Sequence, residues 1–117
     1  MNIGELLDAL QQAIKTRVYF IRLDILDQST NLLKARLHIS PELFVQIYRN
    51  DRYNTTNFAI IHNERRLYAR DQIGGVWHRH TTEEPELHDT STERQRSVTL
   101  LEFLSEVESL LAARQLP

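Results

Sequence analysis

From Thr16 to Arg70 apolar and polar residues alternate with a period of two, and each interruption is a short polar turn. No other feature limits the fold so far. Successive side chains of a strand point to opposite faces, whereas a helix repeats every 3.6 residues and would scatter such a pattern around its circumference. Tyr19, Ile21, Leu23 and Ile25 alternate with Phe20, Arg22 and Asp24 up to the turn Asp27-Gln28-Ser29-Thr30-Asn31. Leu33, Ala35, Leu37 and Ile39 alternate with Lys34, Arg36 and His38 until Ser40-Pro41. Leu43, Val45 and Ile47 continue to Arg49-Asn50-Asp51, Asn57 to His62 form a fourth segment, and Asn63-Glu64 turns into Arg66 to Arg70. Five strands joined by short connections predict an antiparallel meander.

Helical periodicity frames that run. Asn2 and Glu5 have the spacing of an N-cap and its reciprocal partner, and Ile3, Leu6, Leu7, Leu10 and Ile14 follow at helical intervals. Near the other end Thr99 and Glu102 have capping-box spacing, and Val98 is set to staple onto Phe103. Leu100, Phe103, Leu104, Val107, Leu110 and Leu111 then form an apolar stripe that ends near Arg114. A one-sided sheet and two amphipathic helices bury their apolar faces most simply against one another. The expected fold is therefore a single α+β domain over residues 1–117: an antiparallel five-stranded β-meander packed with an N-terminal and a C-terminal α-helix. Gly74-Gly75 is read as the end of the pattern, followed by about twenty polar residues without a period.

Composition narrows the class of function. A chain of 117 residues, 41% hydrophobic and 26% charged, has the make-up of an ordinary globular domain. At this size roughly 65% of the unfolded surface is buried, enough for one core but not for a deep cofactor cavity, so no cofactor is expected. The absence of cysteine removes disulfides, thiolate metal sites and cysteine nucleophiles, and it fits a reducing cytoplasm. No apolar run approaches the ~20 residues that span a bilayer, and the first residues lack the basic start of an export signal, so no membrane association is expected.

Charge is unevenly distributed. Residues 15–80 carry eleven Lys/Arg against six Asp/Glu, and residues 81–117 carry three against eight. Twelve of the fourteen basic residues are arginine, whose planar fork suits phosphate and carboxylate. Phosphate is one target of such a segment; two solvated faces of one domain give the same imbalance.

The concentrated chemistry lies in Gly74-Gly75-Val76-Trp77-His78-Arg79-His80 and the following Glu83, Glu84, Glu86, His88 and Asp89. Three of the five histidines fall within these residues. Histidine titrates nearest neutrality, so a pair can serve as general base and general acid, and metal-free RNA cleavage adds only a cation for the phosphorane. On a strand His78 and His80 share a face and Arg79 points away, so Arg52, Arg66 or Arg70 is an equal candidate for the cation. Asp71, at the strand end beside Arg70, is placed to orient one imidazole. Two other readings stay open for the same residues: His78, His80 and His88 with a carboxylate could hold a divalent metal, although the spacing matches no strong motif, or the histidines simply line a solvated loop. Arg52, Tyr53, Arg66, Tyr68 and Arg79 interleave aromatic and guanidinium groups, a combination that clamps single-stranded nucleic acid and that also suits half-buried strands. Trp77 is expected to anchor its segment in the core, and His38 and His62 are expected to be ordinary exposed or hydrogen-bonded histidines.

The run Arg66-Leu67-Tyr68-Ala69-Arg70-Asp71, then Gly74-Gly75 and Trp77-His78-Arg79-His80, resembles the TumE-like family of small prokaryotic toxins. The resemblance extends from about Val18 to Leu111, with Arg70, Asp71, His78, His80 and His88 as the matching positions. It implies a toxin of a type II toxin-antitoxin pair that acts on RNA and is silenced by a cognate antitoxin, a helix-turn-helix protein. The histidines would then be those of a metal-independent endoribonuclease. Outside the resemblance, a non-enzymatic protein-interaction or nucleic-acid-binding module and a metal-dependent hydrolase remain the alternatives, and a homo-oligomer is compatible with either.

Overall fold

The computed structural model describes residues 2–81 and 96–115. In chain order they form α1 (Ile3–Thr16), β1 (Arg22–Gln28), β2 (Leu32–Ser40), β3 (Leu43–Asn50), β4 (Thr55–His62), β5 (Arg65–Ile73), β6 (Val76–His80) and α2 (Leu100–Ala113). The strands make one antiparallel sheet in the order β1-β2-β3-β4-β5-β6.

The sheet thus has six strands, not the five expected from alternation. Gly74 and Gly75 do not end the pattern. Their φ angles of 57° and 88° are those of a two-residue hairpin turn, open to glycine at both positions, and the chain returns as β6 with Ile73 facing Val76 and Gln72 facing Trp77. At the front edge the strand also starts later than its alternation suggests. Residues 17–21 make a turn in which Phe20 N–H donates to the Arg17 carbonyl at 3.1 Å, so Phe20 is buried while Ile21 is 66% exposed.

Both helices lie on one sheet face. Leu33, Leu37, Val45, Ile47, Phe58, Ile60 and Trp77 share a core with Ile3, Leu6 and Leu10 of α1 and Phe103, Leu104 and Val107 of α2. Phe58 meets the Phe103 ring at 5.6 Å, Tyr68 stacks on it at 5.9 Å, and Trp77 sits 6.3 Å from Phe58. Burying an aromatic such as Phe103 contributes roughly 1.5–3 kcal/mol. The caps follow their sequence signals. Asn2 Oδ1 accepts from Glu5 N–H at 2.8 Å; Thr99 Oγ1 accepts from Glu102 N–H at 3.1 Å, and Glu102 Oε1 accepts from Thr99 N–H at 2.9 Å. Each such cap is worth about 1 kcal/mol. Glu108 of α2 ties the first turn down, accepting from Arg17 Nε at 2.9 Å and from the Tyr19 hydroxyl. Burial pushes the Tyr19 hydroxyl above its ordinary value, with the Glu108 carboxylate adding to it, and that same hydroxyl holds Glu108 below the usual carboxylate range. Among the described residues no helix is long and apolar enough to cross a membrane.

Candidate functional site

Neighbours in a strand point to opposite sides, so each strand of the sheet contributes to two different surfaces. In β5, Tyr68, Arg70 and Gln72 point to the helix-covered face, while Ala69 and Asp71 point to the other; in β6, Trp77 and Arg79 join the first set and His78 and His80 the second. Arg70 and Asp71 are adjacent in sequence and separated by the thickness of the sheet.

The side of this hairpin away from α1 and α2 holds the candidate centre. Asp71 faces His78 directly in the β5–β6 register, and His80 faces Ala69 two residues along. His80 Nε2 stands 3.0 Å from Asp71 Oδ2, with only 4% and 13% of the two side chains exposed. A carboxylate only accepts, so this contact puts the proton on Nε2 and makes Nδ1 the basic nitrogen of the ring. The second carboxylate oxygen, Oδ1, is buried without a hydrogen-bond partner among the described residues. The small side chains of Ala59 and Ala69 lie beside His80 in one cross-strand row, which Gln46 and Arg36 continue. Asn57, Tyr48 and Lys34 extend the neighbouring row from His78 and Asp71.

The remaining sequence candidates are dispersed. Arg70 is fully buried under α2: its NH2 reaches Glu106 Oε2 at 2.7 Å and its Nε reaches Glu106 Oε1 at 3.1 Å and the Tyr68 hydroxyl at 3.1 Å. Although burial alone would lower it, the Glu106 carboxylate holds the Arg70 guanidinium above its ordinary value. Burial and the same carboxylate raise the Tyr68 hydroxyl. Arg79 faces Arg70 across the register, on the helix side. Arg52 and Tyr53 form the exposed β3–β4 turn, where the Asn50 side chain accepts from both backbone N–H groups at 3.1 and 3.4 Å. Only Arg66, opposite Ile61, shares the face of Asp71, His78 and His80. His88 and the neighbouring Glu83, Glu84, Glu86 and Asp89 lie outside the described residues. Among those described, no group of three or more His, Asp or Glu side chains is arranged to hold a metal ion.

A buried arginine lies outside this set of candidates, and His38, expected as exposed or hydrogen-bonded, has a hydrogen-bond partner. Arg49 is buried at 4% exposure and donates to Thr56 Oγ1, Gln72 Oε1, Asp51 Oδ1 and Asn54 Oδ1 at 2.8–3.0 Å. Its signal was its phase: it falls in step with Leu43, Val45 and Ile47, and a charge in the inward phase implies partners waiting for it. His38 Nε2 stands 3.0 Å from Asp24 Oδ2 at the far end of the same sheet face, a second histidine–aspartate contact.

Comparison with protein-family models, with curated proteins and with solved structures returns no match.

Proposed function

We propose that the chain is the toxin of a type II toxin-antitoxin pair and acts on RNA in the cytoplasm, with His80 and His78 as its acid–base pair. The reading joins the resemblance carried by Asp71, His78 and His80 to one geometric observation, the 3.0 Å contact between His80 and Asp71. In it, Asp71 orients His80 and stabilises the imidazolium that forms when Nδ1 takes the 2′-hydroxyl proton. His78, across from Asp71, returns a proton to the leaving oxygen, and Arg66, Arg36 and Lys34 on the same face attract the phosphate backbone. Arg70 drops out as the cation, since Glu106 holds it on the other side of the sheet. Silencing would come from a helix-turn-helix antitoxin that covers this face.

A second reading rests on the burial of His80, only 3% exposed. A side chain so enclosed suits a binding surface in which it is architectural and RNA or a protein is held without cleavage.

Growth on expression of the chain alone, paired with cleavage of single-stranded and structured RNA in vitro, separates the two. Catalysis requires growth arrest that His80→Ala relieves, with cleavage slowed ~10²- to 10⁴-fold and far-ultraviolet circular dichroism unchanged. A binding module keeps its toxicity in His80→Ala and loses it with Arg36 and Arg66. Cleavage that stops on chelation would instead mark a metal-dependent hydrolase. Wild-type protein that is harmless and inert toward RNA would end the proposal.

A further inference from the structure

On the helix-covered side of the β5–β6 hairpin lies a half-open cleft of about 230 Å³ that the histidine chemistry does not use. Arg49, Gln72 and Trp77 line it from one cross-strand row, with Thr56 between the first two, Asn54 closes it from the β3–β4 turn, and Ser97 and Thr99 wall it from the segment entering α2.

The polar groups available there are donors. Gln72 Oε1 is taken twice, by Arg49 NH1 at 3.0 Å and by Thr56 Oγ1 at 3.1 Å, and Asn54 Oδ1 accepts from Arg49 NH2 at 3.0 Å. With their oxygens committed to the arginine, both amides have N–H groups to offer. Arg49 Nε is buried with no hydrogen-bond partner among the described residues, although only 5% of that side chain is exposed. Ser97 and Thr99 add two hydroxyls, and Thr99 is the N-cap of a helix of fourteen residues, whose amino end favours negative charge. Acidic groups are close by but engaged: Asp51 is held by Arg49 NH2 at 2.8 Å, and Glu102 by Thr99 N–H and by Arg96 at 2.9 Å. An ammonium or guanidinium ligand, which can only donate, would meet donors facing donors. A tetrahedral oxyanion would supply acceptors in several directions to two amide N–H groups and two hydroxyls.

The geometry points to a phosphate-binding site in this cleft, formed by Arg49, Asn54, Gln72, Ser97 and Thr99 against the wall of Trp77, for free phosphate or a phosphate monoester. The site lies on the face opposite Asp71 and His80, and the inference holds whether or not those residues cleave RNA.

Trp77 is the only tryptophan in the chain, so its fluorescence reports the cleft directly. Titration of the full chain with inorganic phosphate, against sodium chloride of equal ionic strength, is expected to give a saturable change that chloride does not. Gln72→Glu keeps the oxygen that Arg49 and Thr56 use, removes the amide donor and adds a negative charge. It should fold as the wild type and bind phosphate at least tenfold more weakly. Asn54→Asp makes the same exchange from the turn and carries the test if the first variant does not fold. Short oligonucleotides with and without a 5′-phosphate separate the two sources of the ligand: competition only by the phosphorylated form identifies the monoester, and phosphate binding without competition identifies the free ion. A wild-type response no larger than that to chloride, or equal phosphate affinity in the wild type and both variants, overturns the site.

Discussion

The same sheet face carries two histidine–aspartate contacts of equal length, at its two ends. His38 meets Asp24 between β2 and β1 at 3.0 Å, and His80 meets Asp71 between β6 and β5 at 3.0 Å, through Nε2 in both cases. Their surroundings differ. Asp24 is 36% exposed and shared with Arg22 at 3.1 Å, and His38 leans on the Phe44 ring at 5.5 Å. Asp71 is 13% exposed and faces a second imidazole, His78. On the proposed function only the second of these contacts does chemistry. The second imidazole and the drier carboxylate distinguish the β5–β6 pair, and the first pair serves as an internal control.

The sharpest test of the distinction is activity. On the proposed function His80→Ala costs a factor of ~10² to 10⁴ in RNA cleavage, while His38→Ala leaves the rate within a few-fold of wild type. Equal losses in the two variants would mean that both contacts are architectural. Next in size is the cation behind the hairpin. Arg70→Met strands Glu106 beneath the sheet and is expected to cost about 3–5 kcal/mol in urea unfolding, whereas Arg70→Met with Glu106→Leu recovers most of that. If Arg70→Met is as stable as wild type, the Arg70–Glu106 pair adds nothing net to the fold.

The turn that delivers His78 and His80 gives a smaller effect with opposite signs at its two positions. A Cβ on Gly75 would meet Asn54 Nδ2 at 3.1 Å with φ at 88°, so Gly75→Ala is expected to cost about 1–3 kcal/mol. Gly74 has nothing within 4 Å and a φ of 57°, a conformation asparagine tolerates, so Gly74→Asn is expected to be neutral or to raise the melting temperature. The smallest effect concerns acid, and it arises in α2, away from both pairs. Glu108 is held below its ordinary value of 4.5 by the Tyr19 hydroxyl and Arg17. Its contribution to stability is complete above about pH 4.5 and is lost as pH falls through the lower folded value. Glu108→Gln should flatten that acid slope in melting experiments from pH 5 to 3.

Much of this architecture is legible in the sequence because its signals are local. The capping box at Thr99 and Glu102 and the alternation from Leu33 to Ile47 each fix a short segment without reference to the rest. β6 escaped because Val76, Trp77, His78, Arg79 and His80 present polar groups on both faces, so no hydrophobic period marks them, and because two glycines mean either a break or a hairpin. The site was half visible. Alternation puts His78 and His80 together, and the same rule applied to Arg70 and Asp71 already parts them. The Arg49 network could not be read in the same way, since Thr56, Gln72 and Asn54 reach it across three strands and only the folded register brings them there.

The strictly sequential strand order has a kinetic consequence. Every strand pairs with the one just made, so the whole sheet can zip up hairpin by hairpin at the low entropic cost of short loops. Its apolar face is a different matter, because α2 follows all six strands in chain order. Because α2 is made after all six strands, Phe58, which meets the Phe103 ring at 5.6 Å, stays uncovered on that side until α2 docks. Docking of α2, rather than the zipping of any hairpin, is therefore the step that closes this side of the core.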